Sequence, residues 1–394
     1  MRKLLLIDGN NFAFRSAFTV QQLSYGGQPT NLIFGFLKNY ISLIKNYENY
    51  QAIVCWDGGY AERLALSTKA VEDKIIDSSY KQNRRDAKNA QSEEDKKKLE
   101  DFFRQMDILK NILDFTNLTQ NWIKGFEGDD LIASYVKKYK SECDIVIVSS
   151  DKDFFQLLDK NVVIFDAIKK QTYTIDYLQR EFGLEPYQWV HLAAFTGDGG
   201  DNIIGVRGFG EKTAMPFIKQ YKTYQGVLEQ FKSMVEPYRS QFPDVAGVPY
   251  SGVRLALDEK KIKKPPFKKV ILSALEQERV VELAYKLKLM KDDVEIGDIK
   301  ERPSDLMSLE HALGEFGLKT LIPEIQVFSN EVTSPEVVKT ALRIVTGGVP
   351  QKIYKCSKCH KEFMSNSDMN ECAVCRGVVQ EKPKMQITEQ MTLF

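Results

Sequence analysis

Glu127, Asp129 and Asp130 fall within four residues in "GFEGDD" (125–130), just ahead of the apolar run "LIASYV". Like charges that close repel, and bringing them into a fold costs more unless a cation or a hydrogen-bond donor compensates. Two readings compete for such a cluster. Acids in the first turn of a helix interact well with its macrodipole, so capping explains an isolated group of this kind. A divalent cation is the alternative, and Asp8, Asp57, Asp151, Asp153, Asp198 and Asp201 move the weight to that side. Carboxylate oxygens suit hard ions such as Mg²⁺ or Mn²⁺. Two such ions ~4 Å apart activate a water and stabilise the leaving oxygen of a phosphodiester, so phosphodiester hydrolysis is the natural chemistry. The three histidines, His191, His311 and His360, lie outside the acidic set and read as structural, which leaves a Ser-His-Asp or Cys-His mechanism without a visible base.

The elements that would position these acids are legible in outline. Apolar runs recur as "KLLLI" (3–7), "AIVCW" (52–56), "DIVIVSS" (144–150) and "NVVIF" (161–165), with helical patterns such as "NLIFGFLKNYISLIKNY" and "DLIASYVKKYK" between them. Alternating helices and near-continuous apolar strands predict a parallel sheet covered on both faces. Asp8 and Asp57 then end two strands, and Asp151 and Asp153 follow a third. Sites in open α/β sheets form outside the carboxyl ends of the strands, so these acids become neighbours and the 127–130 cluster reads as one wall of a metal site. From about 62 to 124 the chain turns polar and charged, then amphipathic with Leu99, Phe102, Phe103, Met106, Leu109, Ile112 and Leu113 on one side. It reads as an insertion over the sheet's edge with a basic entry and a helix folding back. Beyond Asp176 the reading is mostly helical. There Gly205, Gly208 and Gly210 would let backbone amides approach a phosphate, at the positive end of a helix opened by Glu211, Lys212 and Thr213.

The 394 residues, 43% apolar, can bury a large core in two or three domains. No stretch approaches the ~20 apolar residues of a membrane span and no signal peptide is visible, so the cytoplasm is the expected location. A net charge of +1 neither demands nor excludes a polyanionic partner, and nothing forces oligomerisation, so a monomer is expected. Cys55 and Cys143 read as buried thiols. Cys356 and Cys359, then Cys372 and Cys375, form two CxxC pairs across a 12-residue spacer, which predicts a closed, structural, tetrahedral Zn²⁺ site beside which His360 is a bystander. Residues 329–350 read as a linker. The final "QMTLF" is either a fraying tail or a docking peptide.

Five ordered motifs, "LLLIDGNN", "CWDGG" with "YKQNRR", "GFEGDDLIASY", "SSDKDFFQLL" and "FTGDGGDNIIGVRGFGEKTA", resemble the metal-dependent 5′ nucleases. That family takes in flap endonucleases, phage 5′→3′ exonucleases and ribonucleases H, and the nuclease domain of bacterial repair DNA polymerases. The likeness covers roughly the first 225 residues, and "SALEQERVVELAYKLKLMKDDVEI" with "LEHALGEFGLKTLI" looks like the family's closing helices. It implies that Asp8, Asp57, Asp129, Asp130 and Asp151, with Glu127 near or among them, hold a first metal, and that Asp153, Asp198 and Asp201 shape a second. Lys81 and Arg84, in a "YKxxR" arrangement at the base of a helical arch, would contact the scissile phosphate and stabilise its charge. Arg85 and the segment from about Asp198 to Gln220, which resembles a helix-hairpin-helix element with a bound monovalent cation such as K⁺, would hold the duplex backbone through Gly205, Gly208, Gly210, Lys212 and Thr213. "QMTLF" resembles a sliding-clamp-binding peptide, with Gln390 as polar anchor and Leu393 and Phe394 entering an apolar pocket. Departures are Ile204 and Arg207 where family members often carry prolines, glycines in "GDGGDN" where serines are frequent, and a proline-rich basic insertion at about 236–269 without a family role.

The resemblance therefore implies a PIN-like nuclease domain over 1–190 with a helical arch at about 62–124, and a helix-hairpin-helix subdomain with closing helices over 191–328. A linker (329–350), a zinc ribbon (351–380) and a flexible tail (381–394) follow. The expected activity is a stand-alone, phage-encoded, structure-selective 5′ nuclease that removes RNA primers or 5′ flaps from branched or RNA-primed duplex DNA by two-metal hydrolysis. The competing readings are an RNA-processing nuclease on a related acidic core and a non-catalytic replication scaffold.

Overall fold

The computed structural model describes residues 2–19, 23–47, 49–262, 267–300 and 302–328, and the backbone of two strands at 352–355 and 362–365. The first half runs β1 (Arg2–Asp8), α1 (Gly9–Thr19), a small hairpin of β2 (Ser24–Tyr25) and β3 (Gln28–Pro29), α2 (Asn31–Asn46), β4 (Gln51–Cys55), α3 (Ala61–Glu72), α4 (Gln82–Asn89), α5 (Glu93–Leu113), β5 (Thr119–Asn121), α6 (Gly128–Tyr139), β6 (Cys143–Val148), a 3₁₀ turn at Lys152–Leu157, β7 (Val162–Asp166) and β8 (Gln171–Tyr173). The second half is helical: α7 (Ile175–Phe182), α8 (Gln188–Thr196), α9 (Glu211–Tyr221), α10 (Tyr224–Arg239), α11 (Ser251–Asp258), α12 (Lys269–Glu276), α13 (Glu278–Lys288), α14 (Leu306–Glu315) and a 3₁₀ segment at Lys319–Phe328.

Six strands form one sheet in the order β5-β4-β1-β6-β7-β8. Every neighbouring pair is parallel except β7 with β8. Successive side chains of a strand point to opposite faces, and here the faces meet two different cores. Leu4, Leu6, Ile53, Cys55, Ile145 and Ile147 pack with α6 and the later helices. Leu5, Ile7, Val54, Val146 and Val148 pack with α2, α5 and α14. Burial on both faces is why these strands read as unbroken apolar runs.

β5 ("TQN") and β8 ("QTY") were not expected, because three polar-leaning residues at a sheet edge leave no apolar run. β5 lies inside 62–124, so that stretch is less of an insertion than its composition implies. Met106, Leu109, Ile112 and Leu113 of α5 are buried under the sheet, and α5 with β5 makes a β–α–β crossover. Ser92 caps α5 by accepting from the Asp95 amide at 3.2 Å, with Glu93, Glu94 and Asp95 in its first turn. Leu99 and Phe103 at its outer end remain only half-buried.

The turn between α8 and α9 is tightly closed. The amide of Asp198 donates to Ile203 O at 2.8 Å and that of Ile203 returns to Asp198 O at 2.7 Å. Gly197 has φ +66, and a Cβ at Gly205 would stand 2.3 Å from the Thr196 carbonyl oxygen. Gly205 thus answers to its own backbone; Gly208, at φ +88, answers to its dihedral, and Gly210 sits in open space at the N-cap of α9. The basic insertion is folded in, with Val253 of α11 and Phe267 beyond it in the core. Of the C-terminal region, β9 (Lys352–Lys355) pairs antiparallel with β10 (Glu362–Ser365). Cys356 and Cys359 lie between these strands in sequence. Those two cysteines, Cys372, Cys375, His360, the 329–350 linker and Gln390, Leu393 and Phe394 lie outside the described residues.

Candidate active site

The carboxyl ends of β1, β4 and β6 lie side by side because the strands carrying them are adjacent and parallel. Asp8 is the last residue of β1 and is held by the Asn11 amide (3.1 Å) and the Ser149 hydroxyl (2.8 Å). Asp57, two residues past β4, accepts the Gly128 amide at 2.6 Å, and its own amide donates to Asn10 Oδ1 at 3.2 Å. Gly128 leaves room for this contact, since a Cβ there would crowd the Cys55 carbonyl oxygen (3.0 Å) and Asp57 Oδ1 (3.1 Å). Asp151 caps the 3₁₀ turn after β6 by accepting the Asp153 amide at 2.8 Å. Asp129 comes from the first turn of α6.

Burial, and then neighbouring carboxylates, raise the proton affinity of Asp8, Asp57 and Asp129. Burial, then Asp57, pushes the carboxyl of Asp8 up to about 7. Burial and Glu127 lift Asp57 to about 6 against the pull of Lys81. Burial, then Asp8, Asp151 and Asp57, holds Asp129 well above the usual carboxylate range. Among the described residues no ion pair reaches any of the four. Nor are three acids drawn tightly enough together to make a finished coordination sphere. Mutual repulsion gives them reason to stand apart, and an all-oxygen donor set deprived of cations fits Mg²⁺ or Mn²⁺.

The remaining acids have cationic partners. Arg63 of α3 spans Glu127 Oε2 (2.8 Å) and both oxygens of Asp130 (2.7 Å each). The amides of Glu127 and Lys291 also donate to Asp130, which is 1% exposed. The structure therefore does not bring Asp130 into the carboxylate cluster. Glu127 and Asp130 form a capping box at the start of α6, so the capping reading describes these two, whereas Asp129 between them joins the cluster. Lys81 is buried, with Nζ 2.5 Å from Glu127 Oε1. Burial opposes its charge, but Glu127, Asp201 and Asp57 outweigh that and raise its pKa. Lys288, at the end of α13, pairs with Asp153 and, at 2.7 Å, with Asp198 Oδ2.

The start of α4 clasps the α8–α9 turn. The Lys81 amide donates to Asp201 O (2.8 Å), Arg84 Nη2 to Asp201 Oδ1 (2.7 Å) and Arg84 Nε to Gly200 O (3.1 Å). Tyr80 Oη donates toward Asp201 Oδ2 at 3.1 Å, and Asn202 reaches back to Ser78 and Ser79. Arg85 turns inward onto the Tyr80 carbonyl, Ser79 and Gln82. Lys212 is exposed and Thr213 half-buried on the first turn of α9. His191 is structural, as its sequence context implies: its Nδ1 accepts the Tyr224 amide at 3.3 Å and its ring stacks on Tyr285. Sequence reasoning missed Arg63, Tyr80 and Lys288. Single cations or phenols beyond the acidic motifs carry no local signal, and their acidic partners are 47 to 135 positions away.

Residues 3–183 match the family description "5′-3′ exonuclease, N-terminal resolvase-like domain", and residues 184–306 match "5′-3′ exonuclease, C-terminal SAM fold". A 5′-3′ exonuclease of Aquifex aeolicus is 29% identical over 82% of this chain and 96% of its own length. The thermostable DNA polymerase I of Thermus thermophilus is 30% identical over 58% of this chain, which corresponds to 25% of the polymerase. Among solved structures, the T5 5′-exonuclease with bound divalent metal ions (zinc) is 20% identical, covers 87% of this chain and 98% of its own, and superposes with a TM-score of 0.56. The bacteriophage T5 flap endonuclease in a pseudo-enzyme–product complex with DNA and metal ions gives 20% identity, 87% and 99% coverage and a TM-score of 0.54. These structures share the fold: a mostly parallel six-stranded sheet flanked by helices, followed by a helical domain.

Proposed function

The chain belongs to the 5′-3′ exonuclease family of phosphodiester hydrolases, and from that premise we propose that it removes RNA primers or 5′ flaps from duplex DNA during replication. The observation that carries this reading is the set of four carboxylates, Asp8, Asp57, Asp129 and Asp151, near the strand ends and the start of α6, with no ion-pair partner among the described residues. They would hold a divalent ion, with Glu127 at their edge. When bound, such an ion supplies Lewis acidity and lowers the pKa of a water.

The protein's own groups do the rest. Lys81 and Arg84 set two positive charges beside the carboxylates, where a phosphodiester that the acids alone would repel can be held and its developing charge stabilised. Both also grip the 198–202 turn, which ties the proposed phosphate-binding charges to the α8–α9 element. That element offers backbone amides and the exposed Lys212 to a duplex backbone, which selects for shape and not sequence. A monovalent cation such as K⁺ would sit at the 197–210 turn. Branched DNA is the proposed substrate; the T5 enzyme with DNA gives the same fold a DNA-bound precedent. Polymerase chemistry is not carried over, since the match spans a quarter of the polymerases.

Cys356, Cys359, Cys372 and Cys375 are proposed to hold one structural Zn²⁺, and Gln390, Leu393 and Phe394 to dock on a sliding clamp. The zinc proposal rests on residue spacing, the clamp proposal on the resemblance of the final pentapeptide, and the proposal of a monomer on a composition that does not force oligomerisation. Among the described residues no helix is long and apolar enough to cross a membrane.

The test compares wild type with Asp151→Asn on a 5′-flap duplex and an RNA-primed duplex, in Mg²⁺ and in EDTA. Cutting that needs both Mg²⁺ and Asp151, with binding retained in the variant, supports the reading. A wild type that binds both substrates and cuts neither makes it a scaffold.

A further inference from the structure

Asp153 and Asp198, which family resemblance assigns to a second metal, already carry a cation of the protein's own. The Lys288 ammonium lies between them, 2.7 Å from Asp198 Oδ2 and in contact with Asp153 Oδ2, and its side chain is 5% exposed. This is a built arrangement, not a surface lysine swinging onto a nearby acid. The Lys288 carbonyl accepts Gln156 Nε2 (3.2 Å), and Gln156 Oε1 accepts the Met290 amide (3.1 Å). On the other side Arg63 Nε donates to the Leu287 carbonyl at 3.0 Å, while the same guanidinium grips Glu127 and Asp130. The backbone on both sides of Lys288 is thereby tied to two site-forming elements, and its side chain is directed at the pair. A lysine is buried this deeply only when paired. Asp201, the third acid of the set, is neutralised separately by Arg84 at 2.7 Å.

We propose that Lys288 acts as a resident cation at the Asp153/Asp198 pair, so that this enzyme binds one divalent ion tightly, at Asp8, Asp57, Asp129 and Asp151, and a second only weakly. The inference rests on the nuclease reading above. A divalent ion approaching Asp153 and Asp198 meets a like charge within contact distance and must displace it from a buried ion pair. Lys288 is in this sense a positioning residue: it sets the spacing of two acids and the charge of the second half of the site, without touching the reacting atoms.

The experiment counts Mn²⁺ bound per chain from the electron paramagnetic resonance signal of free Mn²⁺, without substrate, for wild type, Lys288→Arg and Lys288→Gln. Wild type and Lys288→Arg are expected to bind one ion tightly. Lys288→Gln is expected to gain a second site, roughly tenfold or more tighter than any second site of wild type, because a charge has been removed at contact distance. Two tight ions on wild type overturn the inference and leave the nuclease reading standing, whether or not the variants fold. No tight ion on wild type removes the metal reading itself. One ion on wild type and still one on a folded Lys288→Gln shows that the lysine is structural, and overturns the inference.

Discussion

The nine acids occupy two regions with opposite electrostatics. Glu127, Asp130, Asp153, Asp198 and Asp201 each have a lysine or arginine within ion-pair distance. Asp8, Asp57, Asp129 and Asp151 have amides, a hydroxyl and one another. Desolvation without a counter-charge raises the carboxyls of Asp8, Asp57 and Asp129 in the second group; in the first, lysine and arginine oppose it, incompletely at Asp153, whose carboxyl burial and then Asp151 still push up to about 7 against Lys288. Residues that look alike in sequence thus differ in surroundings: the compensated acids hold elements together, and the uncompensated ones are those proposed to take a cation from outside.

Stability gives the largest way to break this comparison. Arg63→Ala leaves Glu127 with only Lys81 and Asp130 with no cation, and removing one partner of a buried pair costs about 3–5 kcal/mol. Urea denaturation is expected to show that loss, and Lys at 63 is expected to restore little, since an ammonium cannot fork across two carboxylates. In the uncompensated group, Asp8→Asn is expected to slow single-turnover flap cleavage by at least roughly 100-fold, as when one charge-stabilising group is taken from an active site. Its stability in EDTA is expected to hold or rise.

The third outcome concerns pH. The carboxyls of Asp8 and Asp57 titrate near 7 and near 6 in the fold, against about 4 in an unfolded chain. Between those values the native state binds more protons than the unfolded one, so stability falls as pH rises. Metal-free protein is expected to lose on the order of 5 °C in melting temperature between pH 4.5 and 7.5 from these groups. Saturating Mg²⁺ is expected to flatten that slope, and equal slopes with and without the ion would separate the cluster from metal binding. The smallest effect is that of Arg84→Ala on folding. Its guanidinium is 41% exposed, and losing such a pair costs about 1 kcal/mol or less in denaturant, while cleavage falls much further.

Much of this was open to sequence reasoning. β1, β4, β6 and β7 announce themselves because both faces are buried, and the acids at their ends follow from the parallel topology. Asp129 and Asp130 show where that reasoning stops. A helix turns about 100° per residue, so neighbours of the same type face different surroundings, and which one meets Arg63 depends on α3 packing against the start of α6. Lys288 is 90 residues from Asp198 and 135 from Asp153. Such pairings are products of tertiary packing and leave no local pattern. β5 and β8 escaped for a simpler reason, being too short and polar to show a period.

The most direct measurement sets Asp129→Asn beside Asp130→Asn, scoring flap cleavage per folded molecule in Mg²⁺ and melting temperature in EDTA. Asp129→Asn should abolish cleavage and leave the melting temperature unchanged or higher, while Asp130→Asn should melt lower and still cut. The opposite pattern, or equal losses in both variants, would contradict the division between compensated and uncompensated acids.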